Sequence, residues 1–180
     1  MFTLVTSPKR PATPLGALLA DLDAAVDEPG ATRPEVVAAA LADHLGRPGL
    51  LAPAHRRSSA RRYRTNVIHV HPTGRYSLVA LVWRPGQRTP IHSHASWCVV
   101  GVHEGSEQER SFRLAGGRVV ETGRRTMISG EVAALAAGDD DIHEVRNAGP
   151  GVTISLHVYG LDYRAARSSV LRTFEPKIHE

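Results

Sequence analysis

The N-terminal part of the chain carries apolar side chains at helical spacing. The first set recurs every three or four residues between Pro14 and Val26, and comprises Leu15, Leu18, Leu19, Leu22 and Val26. This spacing predicts an amphipathic helix, and the turn residues 27–30 end it. Pro34 suits the first turn of a second helix, whose apolar positions are Val37, Ala40, Leu41 and Leu45. Because both apolar stripes need a partner surface, we expect the two helices to pack on a sheet.

From residue 62 onward the pattern changes to short runs rich in β-branched and aromatic residues. The runs predicted as strands are 67–70, 77–83, 97–103, 111–113, 118–121, 132–135, 143–146 and 152–159. Turns rich in glycine and proline separate them, and one of these, the acidic run 138–141, is predicted as a solvated turn before His143. Many short strands without helices between them predict an all-β core, a barrel or double-sheet jelly roll. The pattern of residues 165–180 is ambiguous.

Length and composition fit one soluble globular domain. The chain has 180 residues, of which 42% are hydrophobic and 22% charged. We divide it into an N-terminal helical segment (1–62), a β-barrel core (63–160) and a C-terminal tail (161–180). No apolar run approaches the ~18 residues of a membrane helix. Residues 1–11 lack the pattern of a secretion signal, so we expect a cytoplasmic protein.

The net charge is +4 and the sequence pI is near 9.7, which can indicate nucleic-acid binding. The positive charge is almost all arginine, and its one dense cluster comprises Arg56, Arg57, Arg61, Arg62 and Arg64. The chain has no helix-turn-helix, zinc-finger or RNP signature. We therefore interpret the cluster as a solvated face and expect no nucleic-acid or membrane partner.

The segment around His92 and His94 carries the candidate chemistry. Two histidines two apart on a strand point to the same face, because side chains alternate with period two. Both imidazoles can then bind one metal ion, and His143 is the best candidate for a third ligand from another strand. The single cysteine, Cys98, rules out an intramolecular disulfide and a Cys-rich zinc site. His69 and His71 form a second such pair, which lacks the surrounding glycines and which we interpret as surface or packing residues.

The spacing from Gly86 through His92 and His94 to Gly105 resembles the first motif of the cupin superfamily. Cys98 stands where that motif has its acidic ligand. The second cupin motif ends in a histidine followed four residues later by asparagine, as His143 and Asn147 do. The resemblance implies a cupin β-barrel (jelly roll) with the two N-terminal α-helices packed on it.

A site of three histidines without the acid resembles the thiol dioxygenases of the cysteine dioxygenase type. Ser155, His157 and Tyr159 resemble that family's Ser-x-His-x-Tyr relay beside the iron. The resemblance implies a bound ferrous ion (Fe²⁺) and catalytic roles for these three residues and Cys98. In the mammalian-like members a thioether joins a cysteine and a tyrosine at the positions of Cys98 and Tyr159, and whether it forms here stays open. Ser93 replaces the family's usual aspartate between the histidines and is expected to point away from the metal.

The residue types also agree with this chemistry on physical grounds. Three neutral imidazoles leave a ferrous ion with its full charge, which lowers the pKa of a thiol ligand and favours an anionic thiolate. Binding the thiolate and dioxygen on one metal turns a bimolecular reaction into an intramolecular one. A carboxylate ligand would offset part of that charge, so its absence favours a thiolate substrate.

The resemblance also implies an arginine that holds the substrate carboxylate. The family's arginine is one position later than Arg64, and Thr65 stands in its place. A shift of one residue moves a strand side chain to the opposite face. Arg164 and Arg167 lie in the segment from which some bacterial members take this arginine, so all three residues remain candidates for substrate binding. Cysteine is the first choice of substrate, with 3-mercaptopropionate as the alternative, and we expect a monomer.

Two other functions compete with the thiol dioxygenase. One is a cupin with another metal and reaction, such as an isomerase or a quercetinase-like oxygenase, although such proteins usually keep the acidic ligand. The other is a non-catalytic cupin that binds a small molecule as a sensor or store. Fold alone does not imply function, so the site has to decide between them.

Overall fold

The computed structural model describes residues 13–28 and 33–175, apart from the side chain of Asp140. It contains helices α1 (Pro14–Val26), α2 (Arg33–Ala42) and α3 (Tyr163–Ala166), and a 3-10 turn at Pro53–Arg56. The strands are β1 (Arg64–Val70), β2 (Ser77–Trp83), β3 (Ile91–His94), β4 (Cys98–Glu104), β5 (Ser106–Ala115), β6 (Arg118–Ile128), β7 (Val132–Leu135), β8 (Gly138–Asn147), β9 (Thr153–Tyr159) and β10 (Val170–Phe174). The expected all-β core with two N-terminal helices is confirmed.

Helices α1 and α2 form where the apolar spacing predicted them. Thr13 caps α1, because its Oγ1 accepts a hydrogen bond of 3.0 Å from the Gly16 amide. The buried stripe of the two helices includes Leu18, Leu22, Val37 and Leu41, and packs on the outward side chains of β2, β4 and β9. At Gly101 of β4 an added Cβ would lie 2.8 Å from the Leu45 Cδ1, so glycine lets the helical segment approach the sheet.

Two five-stranded sheets make the barrel. Their strand orders are β1-β2-β9-β4-β7 and β10-β3-β8-β5-β6, and the paired strands are antiparallel. Strand β2 is buried at every position, because one row of its side chains packs under the helices while Val79, Leu81 and Trp83 enter the barrel interior. Burial on both faces explains why β2 appears in the sequence as a continuous apolar run rather than an alternating one.

Strands β5 and β6 are longer than the sequence predicted. The apolar runs 111–113 and 118–121 mark only parts of a long hairpin. Its remaining length is rich in charged residues that pair across strands, as Arg125 does with Glu109 at 2.9 Å and Arg110 with Glu121 at 2.6 Å. These charged stretches lack the apolar residues from which the sequence predicts a strand. Ion pairs between neighbouring strands can nevertheless stabilise an exposed sheet face.

The prediction of a solvated turn at 138–141 is wrong. Strand β8 begins at Gly138, which pairs with His94 of β3. Asp139 accepts a hydrogen bond of 2.9 Å from the Ser93 hydroxyl and another of 2.8 Å from Arg172. Glycine followed by aspartates is typical of a turn, but here partners that are distant in sequence draw the segment into the sheet.

The C-terminal segment, which the sequence left ambiguous, contributes to the second sheet. Helix α3 follows β9, and β10 then pairs antiparallel with β3 and covers its free edge. The expectations for residues 1–11 and for the last residues of the tail lie outside the described residues. Within the described ranges no helix is long and apolar enough to cross a membrane.

Candidate metal centre

Three histidines meet inside the barrel. His92 and His94 extend from the same face of β3, and His143 stands directly opposite His92 on β8. One ring nitrogen from each residue lies within 4.8 Å of the others. All three side chains are buried, with ring centroids 4.7 to 4.9 Å apart. The structure thus brings together the three residues that the sequence proposed as metal ligands.

The charge state of these rings suits metal binding. Burial lowers the pKa of His92 to about 4 and that of His94 to about 2, and the neighbouring His143 contributes to both shifts. The rings of His92 and His94 are therefore neutral near pH 7, which is the form that binds metals. The Nδ1 of His92 lies 3.0 Å from the Pro90 carbonyl, which accepts its proton and leaves Nε2 free as a ligand.

No acidic side chain joins this cluster. Within ranges 13–28 and 33–175, the group of residues that can hold a metal here consists of the three histidines alone. Asp141 lies behind His143, with its Oδ1 3.4 Å from the His143 Nδ1, a position from which it can orient the ring. Three buried imidazoles fit a divalent metal ion that needs open positions for other ligands.

Ser155, His157 and Tyr159 alternate along β9 and all enter the barrel, where they form a hydrogen-bonded chain that we call the relay. The Tyr159 hydroxyl lies 3.1 Å from the His157 Nδ1, and the His157 Nε2 lies 2.9 Å from the Ser155 hydroxyl. The Tyr159 and His94 ring centroids are 5.7 Å apart, so the relay begins beside the histidine cluster. Burial lowers the pKa of His157 to about 3 and raises that of Tyr159, which keeps both groups neutral.

Cys98 lies opposite Tyr159 in the register of β4 and β9. Its Sγ is 4.0 Å from the His157 Nδ1, and the side chain is fully buried. Burial raises the pKa of the thiol well above its ordinary value, so Cys98 is a neutral thiol beside the relay. The position that holds an acidic ligand in the cupin motif is thus turned toward Tyr159 and lies outside the three-histidine cluster.

A small cavity of about 60 Å³ connects the histidines and the relay. Its apolar lining includes Leu81, Val100, Leu135 and Val145, and Thr65 also borders it. A wider polar pocket of about 530 Å³ lies next to it, and the two share Tyr63, Thr65 and Tyr163 as lining residues. A small molecule at the histidines can therefore extend toward the wider pocket.

The three candidate arginines are not equivalent. Arg64 and Arg167 line the wider pocket, whereas Arg164 borders neither space. Thr65 faces the inner cavity in place of Arg64, in agreement with the opposite-face argument from the sequence. Arg64 donates a hydrogen bond of 3.0 Å to Asn66. Arg167 closes helix α3 in a left-handed conformation (φ 62°), an uncommon one for a residue with a side chain.

The other histidine pair, His69 and His71, lies away from this site. Both rings pack near Tyr76, and His71 lies 3.8 Å from Asp23 of α1.

The arginine cluster at 56–64 is largely exposed, with Arg56 in an ion pair with Glu104 at 2.6 Å. Sequence reasoning interpreted Trp83 as a packing residue and gave no role to Glu107, and both line the inner cavity. Side chains alternate between the two faces of β5, and this could have indicated that Glu107 points into the barrel. The charged residues around it made the strand resemble an exposed one.

Comparison with known proteins agrees with this geometry. The model of the family "Cysteine dioxygenase type I" matches residues 56–168. Among solved structures, an uncharacterized conserved protein with a double-stranded β-helix domain from Klebsiella pneumoniae is similar, at 20% identity over 59% of this chain and 78% of that one, with a TM-score of 0.46. A cupin family protein from Methanocaldococcus jannaschii is similar at 9% identity over 62% of this chain and 92% of that one, also with a TM-score of 0.46. The family match covers more than half of the chain, its range includes all three clustered histidines and the relay, and the chain therefore belongs to the cysteine dioxygenase type I family.

Proposed function

We propose that this protein is a ferrous-iron thiol dioxygenase, which oxidises a small thiol carboxylate with dioxygen to its sulfinic acid. The observation that carries the proposal is a cluster of three buried histidines without a carboxylate, in one cavity with a Tyr-His-Ser relay. Cysteine is the first choice of substrate and 3-mercaptopropionate the alternative.

His92, His94 and His143 would hold the iron. A ferrous ion held by neutral imidazoles keeps its full charge and supplies a centre at which an anionic thiolate and dioxygen meet. The apolar side chains of Leu81, Val100, Leu135 and Val145 form part of the cavity wall and limit the space for water at this centre. Fewer water molecules around a site strengthen electrostatic interactions and protect reactive species from side reactions.

Tyr159 is the candidate acid–base group of the site. Its hydroxyl stays protonated near neutral pH, because burial raises its pKa. The His157 Nδ1 at 3.1 Å is a partner that can hold the tyrosine proton in a defined direction. We assign Tyr159 the task of hydrogen bonding to the reactants, with His157 and Ser155 as the residues that orient it.

Arg167 is the residue that we assign to the substrate carboxylate. It lines the pocket that opens from the inner cavity at Tyr163, and no ion pair within the described residues occupies its guanidinium. Arg64 lines the same pocket but already donates to Asn66. A guanidinium suits a carboxylate, since it offers paired donors and a permanent charge.

Replacing Arg167 with glutamine is expected to raise the KM for a thiol carboxylate about 10- to 100-fold with little change in kcat. A hydrogen bond to a charged group contributes about 1.5–3 kcal/mol, and its loss affects substrate binding rather than the reacting atoms. Steady-state oxygen uptake measures both constants. Cysteamine, which has no carboxylate, should not distinguish Arg167→Gln from wild type.

The exposed Arg113 of β5 supplies a matched control, so Arg113→Gln should leave both constants unchanged. Arg64→Gln and Arg164→Gln test the two competing candidates in the same assay. A large KM effect in either of them, with none in Arg167→Gln, would refute the assignment.

The proposed function itself is tested by oxygen uptake. The iron-loaded chain is given cysteine, 3-mercaptopropionate and cysteamine in parallel, and the thiol that supports uptake identifies the substrate class. No uptake with any of the three, in protein that holds stoichiometric iron, would favour a cupin of another activity.

A further inference from the structure

Glu107 is a buried carboxyl group that none of the roles above uses. It lies on β5 with 3% of its surface exposed, and its side chain enters the cavity that holds the histidines and the relay. Within the described ranges no hydrogen bond reaches its buried Oε1. Burying a carboxyl oxygen without a hydrogen-bond partner costs free energy, so the presence of Glu107 here needs an explanation.

The side chains next to this carboxyl group are the far end of the relay. Glu107 lines the inner cavity together with Trp83 and His157, the two side chains that contact the Ser155 hydroxyl at 3.1 and 2.9 Å. Burial raises the pKa of Glu107 to about 7, and the neighbouring polar groups of Ser155 and Trp83 oppose that rise. The Glu107 carboxyl group is thus the candidate acceptor for the Ser155 hydroxyl proton. Glu109, two residues along β5, pairs with Arg125 instead and so is held by a different partner.

The hydrogen-bond donors and acceptors around the Ser155 hydroxyl determine which group receives its proton. A hydroxyl has one proton to donate and two lone pairs that accept. The Trp83 indole, which can only donate, takes one lone pair at 3.1 Å. If the hydroxyl proton is given to Glu107, the remaining lone pair must accept a proton from the His157 Nε2 at 2.9 Å. Without an acceptor at Glu107, Ser155 would instead donate its proton to Nε2.

The direction of the hydrogen bond at Ser155 also determines the hydrogen bond at Tyr159, because the His157 imidazole lies between them. A neutral imidazole carries its proton on one nitrogen only. With the proton on Nε2, the Nδ1 of His157 accepts from the Tyr159 hydroxyl at 3.1 Å. With the proton on Nδ1, His157 donates to Tyr159, and the tyrosine proton must point elsewhere.

We propose that Glu107 is a positioning residue, which accepts the hydroxyl proton of Ser155 and so fixes the direction of the chain from Tyr159 through His157 and Ser155. The inference rests on the proposed function, because it gives Glu107 a task in the same site. In this direction the Tyr159 oxygen keeps its lone pairs toward the cavity, and its proton has a ready acceptor in the His157 Nδ1. In this role the carboxyl group acts through Ser155.

The position of the proton on His157 tests this inference directly. We would record nitrogen NMR spectra of the full chain, labelled at histidine and loaded with zinc(II), a diamagnetic ion; a His157→Asn variant identifies the His157 signals. Wild type should carry the proton on Nε2. Glu107→Leu removes the acceptor and should move the proton to Nδ1, whereas Glu107→Gln keeps a carbonyl acceptor and should retain it on Nε2.

Two results would overturn the inference. One is a His157 proton on Nδ1 in the wild-type chain, a result that does not depend on whether any variant folds. The other is a folded Glu107→Leu chain whose His157 proton stays on Nε2.

Turnover gives a second, separate readout. In iron-loaded protein Glu107→Leu should lower kcat about 10- to 100-fold, as loss of a residue that orients an active-site group does, with KM little changed. Glu107→Gln should recover most of that loss. Glu104→Gln, which removes an exposed carboxylate paired with Arg56 on β4, should match wild type. If wild type oxidises no thiol, the proposed function fails, and the NMR result still decides the role of Glu107.

Discussion

Replacing His143 with alanine is expected to abolish thiol-dependent oxygen uptake together with iron binding. In the proposed site His143 supplies one of the three ligand nitrogens found among the described residues, and it lies on a different strand from the other two. Loss of a residue that merely orients a metal ligand costs about 10- to 100-fold in affinity, and loss of the ligand itself should cost more. Iron content after desalting and oxygen uptake measure the two effects on the same sample.

His69→Ala is the matched control for this variant. His69 belongs to the other His-x-His pair, on β1, and lies beside Tyr76 rather than in the cavity. It should retain wild-type iron content and turnover. Full turnover in His143→Ala would refute the three-histidine site.

Replacing Tyr159 with phenylalanine is expected to lower kcat about 100-fold while iron content and KM change little. General acid–base groups contribute about 10²- to 10⁴-fold to catalysis, and this hydroxyl is the end of the relay closest to the histidine cluster. The ring itself remains, so the packing between β4 and β9 should be preserved. Steady-state kinetics and metal analysis separate loss of catalysis from loss of metal.

Tyr76→Phe is the control that removes a buried hydroxyl elsewhere. That hydroxyl donates to Asp23 of α1 at 2.8 Å, outside the barrel. Its loss should cost about 1.5–3 kcal/mol of unfolding free energy, as for a hydrogen bond to a charged group, and leave kcat unchanged. If Tyr159→Phe turned over within about twofold of wild type, the acid–base role given to Tyr159 would be wrong.

The sequence predicted the helices and the strands that pack on them because their apolar spacing is undisturbed. Helix α1 runs over Pro14–Val26 as its leucine spacing indicates, and β2 and β7 have the predicted bounds. The metal site was predictable for a similar reason. His92 and His94 lie two apart within one short strand, and the glycines around them fix the turns.

Other parts depend on partners that are distant in sequence. The start of β8 resembles a turn, and only the contacts of Asp139 with Ser93 and Arg172 explain why it is a strand. Strand β10 is mostly exposed and does not alternate between apolar and polar residues, so the sequence could not predict its pairing with β3.

Glu107 shows the same limit inside the site. It stands in a charged run that is typical of a solvent-exposed strand, and most of its neighbours on β5 are partly exposed. Only the register of β5 against β8 and the closure of the barrel place its carboxyl group beside the relay. The same holds for Arg167, whose place in the wall of the wider pocket depends on the turn that ends α3.

In the proposed reaction both atoms of one dioxygen molecule are transferred to the sulfur of a small thiol. The most direct measurement is the product mass from the iron-loaded chain that turns over its best thiol under isotopically heavy dioxygen in ordinary water. We predict a sulfinic acid that carries two heavy oxygen atoms. A product with one heavy oxygen atom or none, or a disulfide as the only product, would contradict the assignment as a thiol dioxygenase.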